Sequence, residues 1–166
     1  MAFLKILWDN LRKGPSTEAF PFGEATTPAG YRGKVTFDEA TCVGCNMCEH
    51  VCAAGAIRFA EAEDGLHFVI WHNTCVSCGL CAYYCPTKAI KLSNDWHLSH
   101  LQQDKYAQLD HAVVAYKRCT SCGDKLLPTG SVLTQLAYKG PNPRAERLMD
   151  LCPECRRKAS YRGEMI

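Results

Sequence analysis

Eight cysteines fall into two runs with the same spacing, C-x2-C-x2-C-x3-C. The first holds Cys42, Cys45, Cys48 and Cys52, and the second Cys75, Cys78, Cys81 and Cys85, followed by Pro86. Thiolates are soft ligands suited to iron, and three of them closely spaced can wrap one face of a cubane iron–sulfur cluster. The fourth iron must be held from elsewhere, and in chains with two such runs it is held by the last cysteine of the other run. The spacing therefore predicts two [4Fe–4S] clusters, one on Cys42, Cys45, Cys48 and Cys85, the other on Cys75, Cys78, Cys81 and Cys52. The chemistry they would carry is one-electron transfer. A disulfide framework is the competing reading, but these cysteines sit in tight clusters instead of being scattered along the chain.

A second kind of pattern lies further on. Cys119-Thr120-Ser121-Cys122 and Cys152-Pro153-Glu154-Cys155 are two C-x2-C pairs separated by 29 residues. Four thiolates at this spacing suit one tetrahedral ion, and Gly123 and Pro153 suit the sharp backbone path of a metal knuckle. Zinc there would be a structural ribbon without redox chemistry, and iron would be redox-active; the reading favours zinc. C-x2-C-G followed by C-P-x-C resembles the two knuckles of rubredoxin, although Arg156 stands where rubredoxins usually carry glycine.

With all twelve cysteines partitioned into three four-ligand sets, none of the six histidines (His50, His67, His72, His97, His100, His111) is needed as a ligand. His50, inside the first run, is a candidate for tuning a cluster through hydrogen bonding. No Ser-His-Asp set, P-loop or G-x-G-x-x-G occurs, so the chain is expected to have no catalytic site of its own. Cysteine-bound metal fits a reducing compartment. The apolar stretch Phe3 to Trp8 is too short for a secretory h-region, and no apolar run approaches the ~18 residues that a membrane span needs. The net charge of +2 is uninformative, and its mild concentration as +3 over residues 119–166 reads as a solvated face more than as a nucleic-acid site. Arg144, Arg147, Arg156, Arg157, Lys158 and Arg162 are the residues on which a nucleic-acid-binding reading would rest, and no nucleic-acid partner is expected.

The elements that must position the cysteines can be read around them. Residues 42–57 and 75–90 form an internal repeat with an offset of 33, matching at the four cysteines and at Val43/Val76, Ala56/Ala89 and Ile57/Ile90. Each repeat runs into a short alternating stretch, Ile57–Phe59 and Ile90–Leu92, that reads as a strand, and Asp64-Gly65 marks a hairpin between Ile57–Ala60 and Leu66–Trp71. Two pseudo-symmetric halves follow, each with a strand, a cysteine loop and a short helical segment. Their core is small, so bound clusters must supply much of the folding energy. Residues 1–14 carry Phe3, Leu4, Leu7 and Leu11 at helical spacing and end at Gly14-Pro15, which predicts an amphipathic helix for a membrane surface, a partner groove or the protein's own core. Residues 14–33 read as an extended arm. Residues 93–117 read as a link ending in a short strand, His111–Tyr116. The fold class is therefore α+β, with an N-terminal helix and arm over 1–33, a two-cluster domain over 34–95 and a linker with a four-cysteine region over 96–166.

The order of these parts supports a family resemblance. Tyr31-Arg32-Gly33-Lys34 ahead of Cys42-Val43-Gly44-Cys45 resembles the two-cluster subunit of NADH:quinone oxidoreductase (complex I). The tail with Cys152-Pro153-Glu154-Cys155-Arg156-Arg157 resembles the iron–sulfur subunit of formate hydrogenlyase and related membrane-bound, energy-converting [NiFe] hydrogenases. The resemblance implies a bacterial-type ferredoxin fold with an appended zinc-ribbon or rubredoxin-like site. It implies a subunit peripheral to the membrane on its cytoplasmic face, with a hydrogenase small subunit and a membrane-arm subunit as partners. A free soluble two-cluster ferredoxin with an appended zinc ribbon is the alternative. Cys52 is followed by Ala53 where the family carries proline, which would alter the hydrogen bonding, and so the potential, of the cluster that Cys52 serves.

Overall fold

The computed structural model describes residues 2–15, 17–18, 20 and 22–163. Residue 1 and residues 164–166, at the outer ends of the 1–33 and 96–166 segments, lie outside the described residues, as do positions 16, 19 and 21 within the arm. The chain divides into two compact units, residues 1–31 and 32–166.

In the first unit, α1 (Ala2–Lys13) spans the predicted helix. Arg12 and Lys13 sit in its last turn, where cations oppose the negative end of the helix dipole. Gly14 ends it in the left-handed conformation (φ +71°), its N–H donating to the Asn10 carbonyl at 3.2 Å. Phe3, Leu4, Ile6, Leu7, Trp8 and Leu11 are all exposed. No helix among the described residues is long and apolar enough to cross a membrane.

The second unit is mixed helix and sheet. In chain order it contains β1 (Val35–Phe37), α2 (Met47–His50), β2 (Ile57–Glu61), β3 (Gly65–Trp71), α3 (Leu80–Tyr84), β4 (Ile90–Leu92), β5 (Leu109–Ala115), β6 (Lys117–Arg118), β7 (Lys125–Leu126), α4 (Ser131–Tyr138), α5 (Pro143–Met149) and α6 (Pro153–Tyr161). The predicted hairpin is present, β2 against β3, with Ile57 opposite Ile70 and Glu61 opposite Leu66. β1 pairs antiparallel with β4, Val35 opposite Leu92 and Phe37 opposite Ile90. The strand before the first cysteine run thus pairs with the strand after the second, and the strand before the second run pairs with the strand after the first. The two halves of the repeat are interlocked through their backbones.

Two features differ from the sequence-based expectation. The late strand, β5, begins and ends slightly earlier than expected, and it does not merely link two regions. It pairs along its whole length with β3, Gly65 opposite Ala115 and Trp71 opposite Leu109, making a three-stranded sheet β2-β3-β5. Residues 131–149, for which no elements were foreseen, hold α4 and α5. The core is correspondingly small. Phe68, Ile57, Ile70, Ile90, Val35 and Val114 are its fully buried large side chains, and Cys42, Cys48, Cys81 and Cys85 join the same buried cluster.

Candidate metal centres

The local backbone of the two cysteine runs repeats as closely as the sequence does. Left-handed conformations fall at equivalent positions 33 residues apart: Gly44 (φ +64°) and Ser77 (φ +50°), Asn46 (φ +56°) and Gly79 (φ +83°), Gly55 (φ +62°) and Lys88 (φ +58°). Glycine carries this conformation freely, and an L-residue bears a cost, so a shared loop shape is being imposed in both halves. The shape turns N–H groups toward sulfur. Gly44 N–H donates to Cys42 Sγ at 3.4 Å and Ser77 N–H to Cys75 Sγ at 3.4 Å, while Ala56 N–H donates to Cys52 Sγ at 3.3 Å. Lys88 Nζ donates to the Ala82 and Tyr83 carbonyls, anchoring the end of α3.

The fold gathers the eight cysteines into two cavities. One is lined by Cys42, Cys45, Cys48 and Cys85 together with Phe37, Phe59 and Ile90. The other is lined by Cys52, Cys75, Cys78 and Cys81 together with Val35, Ile57 and Leu80. The last cysteine of each run therefore lines the same cavity as the first three of the other. The walls are apolar, which raises the cost of charge. Burial pushes the Cys48 thiol up to about 12 and the Cys81 thiol up to about 11. Burial also raises Cys85, but the backbone N–H of Ile90 and the Thr87 hydroxyl, 3.7 Å away, oppose it, and the balance lies below the ordinary thiol value. Cys48 and Cys81, whose charged forms burial disfavours, fit a group that brings its own positive charge, as iron does.

The third cysteine set is assembled by other elements. The β6–β7 hairpin carries Cys119 and Cys122, and Cys152 caps the start of α6, its sulfur accepting from Cys155 N–H at 3.3 Å. Cys152 N–H donates to Cys119 Sγ at 3.2 Å and Thr120 N–H to the Asp150 carbonyl at 3.1 Å, tying the two knuckles together. All four sulfurs lie within 4.8 Å of one another, and Cys122 and Cys152 are 3.6 Å apart. Four sulfurs held tetrahedrally at about 2.3 Å from one ion stand about 3.8 Å apart, so the quartet is close to the size of a zinc or iron site. The N–H of Cys152, first among several donors to its sulfur, holds Cys119 down to about 6.

His50 is exposed at the end of α2. Three polar sites escaped the sequence. Asp95 is a tether: its carboxylate takes the His97 N–H at 2.9 Å and the Lys34 ammonium at 3.1 Å, and its carbonyl takes Lys34 N–H. The His97 N–H, first among these, holds its carboxyl down to about 2. His72 is buried, with Nε2 on Asp110 at 2.8 Å. His67 stands between Asp64 and His111. Each depends on β5 or on residues 93–97 coming back to the cluster unit, which local sequence does not reveal.

Residues 34–92 match the 4Fe-4S dicluster domain family. The chain is 35% identical over 68 residues to NADH-quinone oxidoreductase subunit I 1 of Geobacter sulfurreducens, 39% of this chain and 52% of that protein. It is 31% identical over 49 residues to NAD(P)H-quinone oxidoreductase subunit I of Microcystis aeruginosa, 30% of this chain and 26% of that protein. The chain thus spans about half or less of the curated relatives it matches. A chain from the structure of the membrane-bound sulfane sulfur reductase, an archaeal respiratory membrane complex, aligns with a TM-score of 0.48 at 29% identity, over 61% of this chain and 57% of that one.

Proposed function

We propose that this chain is an electron-relay subunit of a membrane-associated oxidoreductase complex, holding one [4Fe–4S] cluster on Cys42, Cys45, Cys48 and Cys85 and another on Cys52, Cys75, Cys78 and Cys81. The observation that carries the reading is the pair of apolar cavities, each lined by four cysteines drawn from both runs. A cluster bound in either cavity would take up and pass on one electron. The chain's own contribution is to hold the sulfurs, donate backbone N–H groups to them, and exclude water with Phe37, Phe59, Val35 and Ile57. Such hydrogen bonds and burial are the levers by which a protein sets cluster potential.

The curated relatives are quinone-oxidoreductase subunits, which supports a place beside other redox subunits in a respiratory complex. The quartet Cys119, Cys122, Cys152 and Cys155 is the feature favouring a hydrogenase-type complex, with a [NiFe] hydrogenase small subunit and a membrane-arm subunit as neighbours on the cytoplasmic face. In this reading the quartet holds one zinc ion, with a rubredoxin-type iron as the other metal that fits. The exposed apolar side chains of α1 support reading it as an amphipathic helix for a partner groove or a membrane surface.

The test is anaerobic purification of the tagged chain from detergent-solubilised membranes, with partners identified by mass spectrometry and metals counted. Co-purification with a [NiFe] large subunit and membrane subunits supports the hydrogenase-type complex, and quinone-oxidoreductase partners would shift the assignment toward complex I. A lone chain in the soluble fraction, loaded with about eight irons, would overturn the subunit reading while leaving the clusters in place.

A further inference from the structure

A second class of metal donor lies on the β3–β5 part of the sheet, outside all three cysteine sets. His67 of β3 pairs in register with Val113 of β5, and His111 lies two residues back along β5, opposite Val69. Side chains two apart on a strand share a face, so both imidazoles project from the same side of the sheet as diagonal neighbours. His67 Nδ1 and His111 Nε2 face each other at 2.9 Å, with ring centroids 5.0 Å apart. The other nitrogen of His67, Nε2, lies 2.8 Å from Asp64 Oδ1 in the β2–β3 turn. That contact fixes the tautomer: Nε2 carries the proton and donates it to the carboxylate, leaving Nδ1 with its lone pair toward His111. A carboxylate that orients a histidine through its far nitrogen is the usual partner of a metal-ligating imidazole.

We propose that His67 Nδ1 and His111 Nε2 form a binding site for a divalent first-row transition ion, with Asp64 orienting His67 from behind. Two imidazole nitrogens bound cis at about 2.0–2.1 Å and 90° stand about 2.9 Å apart, the separation found here. In the metal-free protein one proton bridges the pair. Ion binding requires that His111 carry its proton on Nδ1 instead and that the two rings turn, by about 45° each, from facing one another until both lone pairs converge on the ion, the remaining positions going to water. Neutral imidazoles with water suit Cu²⁺, Ni²⁺ and Zn²⁺ above Mn²⁺ or Fe²⁺. The nearest cation on β2, Arg58, is held by Glu49 at 3.1 Å and does not compete for the site. A bound ion would cross-link β5 to the hairpin, adding a tether to a strand that otherwise stands at the sheet edge.

The probe is NiCl2, titrated calorimetrically into the full chain with its iron and its cysteine-quartet metal already in place. The expected result is one additional equivalent bound at pH 7.5, accompanied by slower amide exchange across residues 109–115. His111→Ala and His67→Ala should each abolish that equivalent, and Asp64→Asn should weaken it about 10-fold. Iron content and melting temperature confirm that each variant is folded, and His111→Gln, which keeps a hydrogen-bonding side chain, serves if the alanine variant is not. Unchanged Ni²⁺ binding in His111→Ala or His111→Gln overturns the site, as does loss of binding that follows His97→Ala or His100→Ala instead. Wild-type affinity in Asp64→Asn would overturn the orienting role of the carboxylate.

Discussion

Phe68 is fully buried, its ring stacked on Phe37 at 3.9 Å and 11° and meeting Phe59 edge-on at 5.3 Å and 63°. Phe37 and Phe59 in turn line the cavity of Cys42, Cys45, Cys48 and Cys85, whereas neither lines the other cavity. Phe68→Ala should therefore loosen one cavity and spare the other. Burying a phenylalanine removes about 150–250 Å² from water, worth about 4–6 kcal/mol at 25 cal/mol per Å², and measured Phe→Ala costs run at about 3–5 kcal/mol. Taking about 4 kcal/mol, the open form of that cavity rises about 10³-fold in population. The assay is iron and sulfide per chain, with dithionite-reduced EPR spectra, before and after exposure to a ferrous chelator. Iron should fall from about eight to about four, leaving a spectrum that matches Cys45→Ser after the same treatment. Phe68→Leu, which keeps most of the volume, should cost about 1 kcal/mol and retain both clusters. Loss of iron from both sites at the same rate, or full retention by Phe68→Ala, would show that the aromatic stack does not support one cavity selectively.

Three further outcomes are expected. Gly44→Ala must hold an L-residue at φ +64° with its Cβ 2.8 Å from Leu127 Cδ2 and 3.2 Å from Leu66 Cδ2, and should cost about 1–2 kcal/mol in chemical denaturation, most of it backbone strain because both neighbours are flexible side-chain ends. Asp95→Asn should cost about 1 kcal/mol at pH 7, a figure reduced for its exposure, and speed amide exchange at His97. Because the carboxyl is held below its ordinary value of 3.8, this contribution is complete above pH 4 and lost as pH falls toward 2. Cys122→Ser should remove one zinc by elemental analysis while iron stays at about eight and the yield of folded protein drops, whereas loss of an iron from about nine would identify a rubredoxin-type site.

The cysteine runs were legible because their short, fixed spacings lie in the local sequence. The hairpin was legible because Asp64-Gly65 interrupts two alternating stretches, and Ile57 and Ile90 stand at equivalent places in the repeat. What escaped depends on distant partners. β5 looks like an isolated strand until β3 is seen to lack a second neighbour, and His72–Asp110, Asp64–His67–His111 and Lys34–Asp95 all follow from long-range pairing. The equivalence of Asn46 with Gly79, and of Lys88 with Gly55, was hidden because different residue types adopt the same left-handed backbone. α4 and α5 were missed because each is short, 8 and 7 residues, and Gly140, Pro141 and Pro143 around their junction read as loop.

The interlocked strands and the crossed cysteines express one constraint. β1 with β4, and β3 with β2, bring each run's last cysteine beside the other run's first three, so neither half can complete a cavity alone. The apolar walls that shape these cavities hold Cys48 and Cys81 as neutral thiols at pH 7, with burial displacing them to about 12 and about 11. Without iron, that state loses stability as pH rises above 9, where the unfolded thiols ionise and the buried ones do not. In the proposed reading iron would replace those protons with its own charge, so that loading a cavity and closing the fold around it become a single event. A core this small could not hold eight thiol groups together by apolar burial alone. In the proposed reading, the arrangement that gathers the cysteines into two cavities is also the one by which bound clusters would hold the two halves of the repeat together.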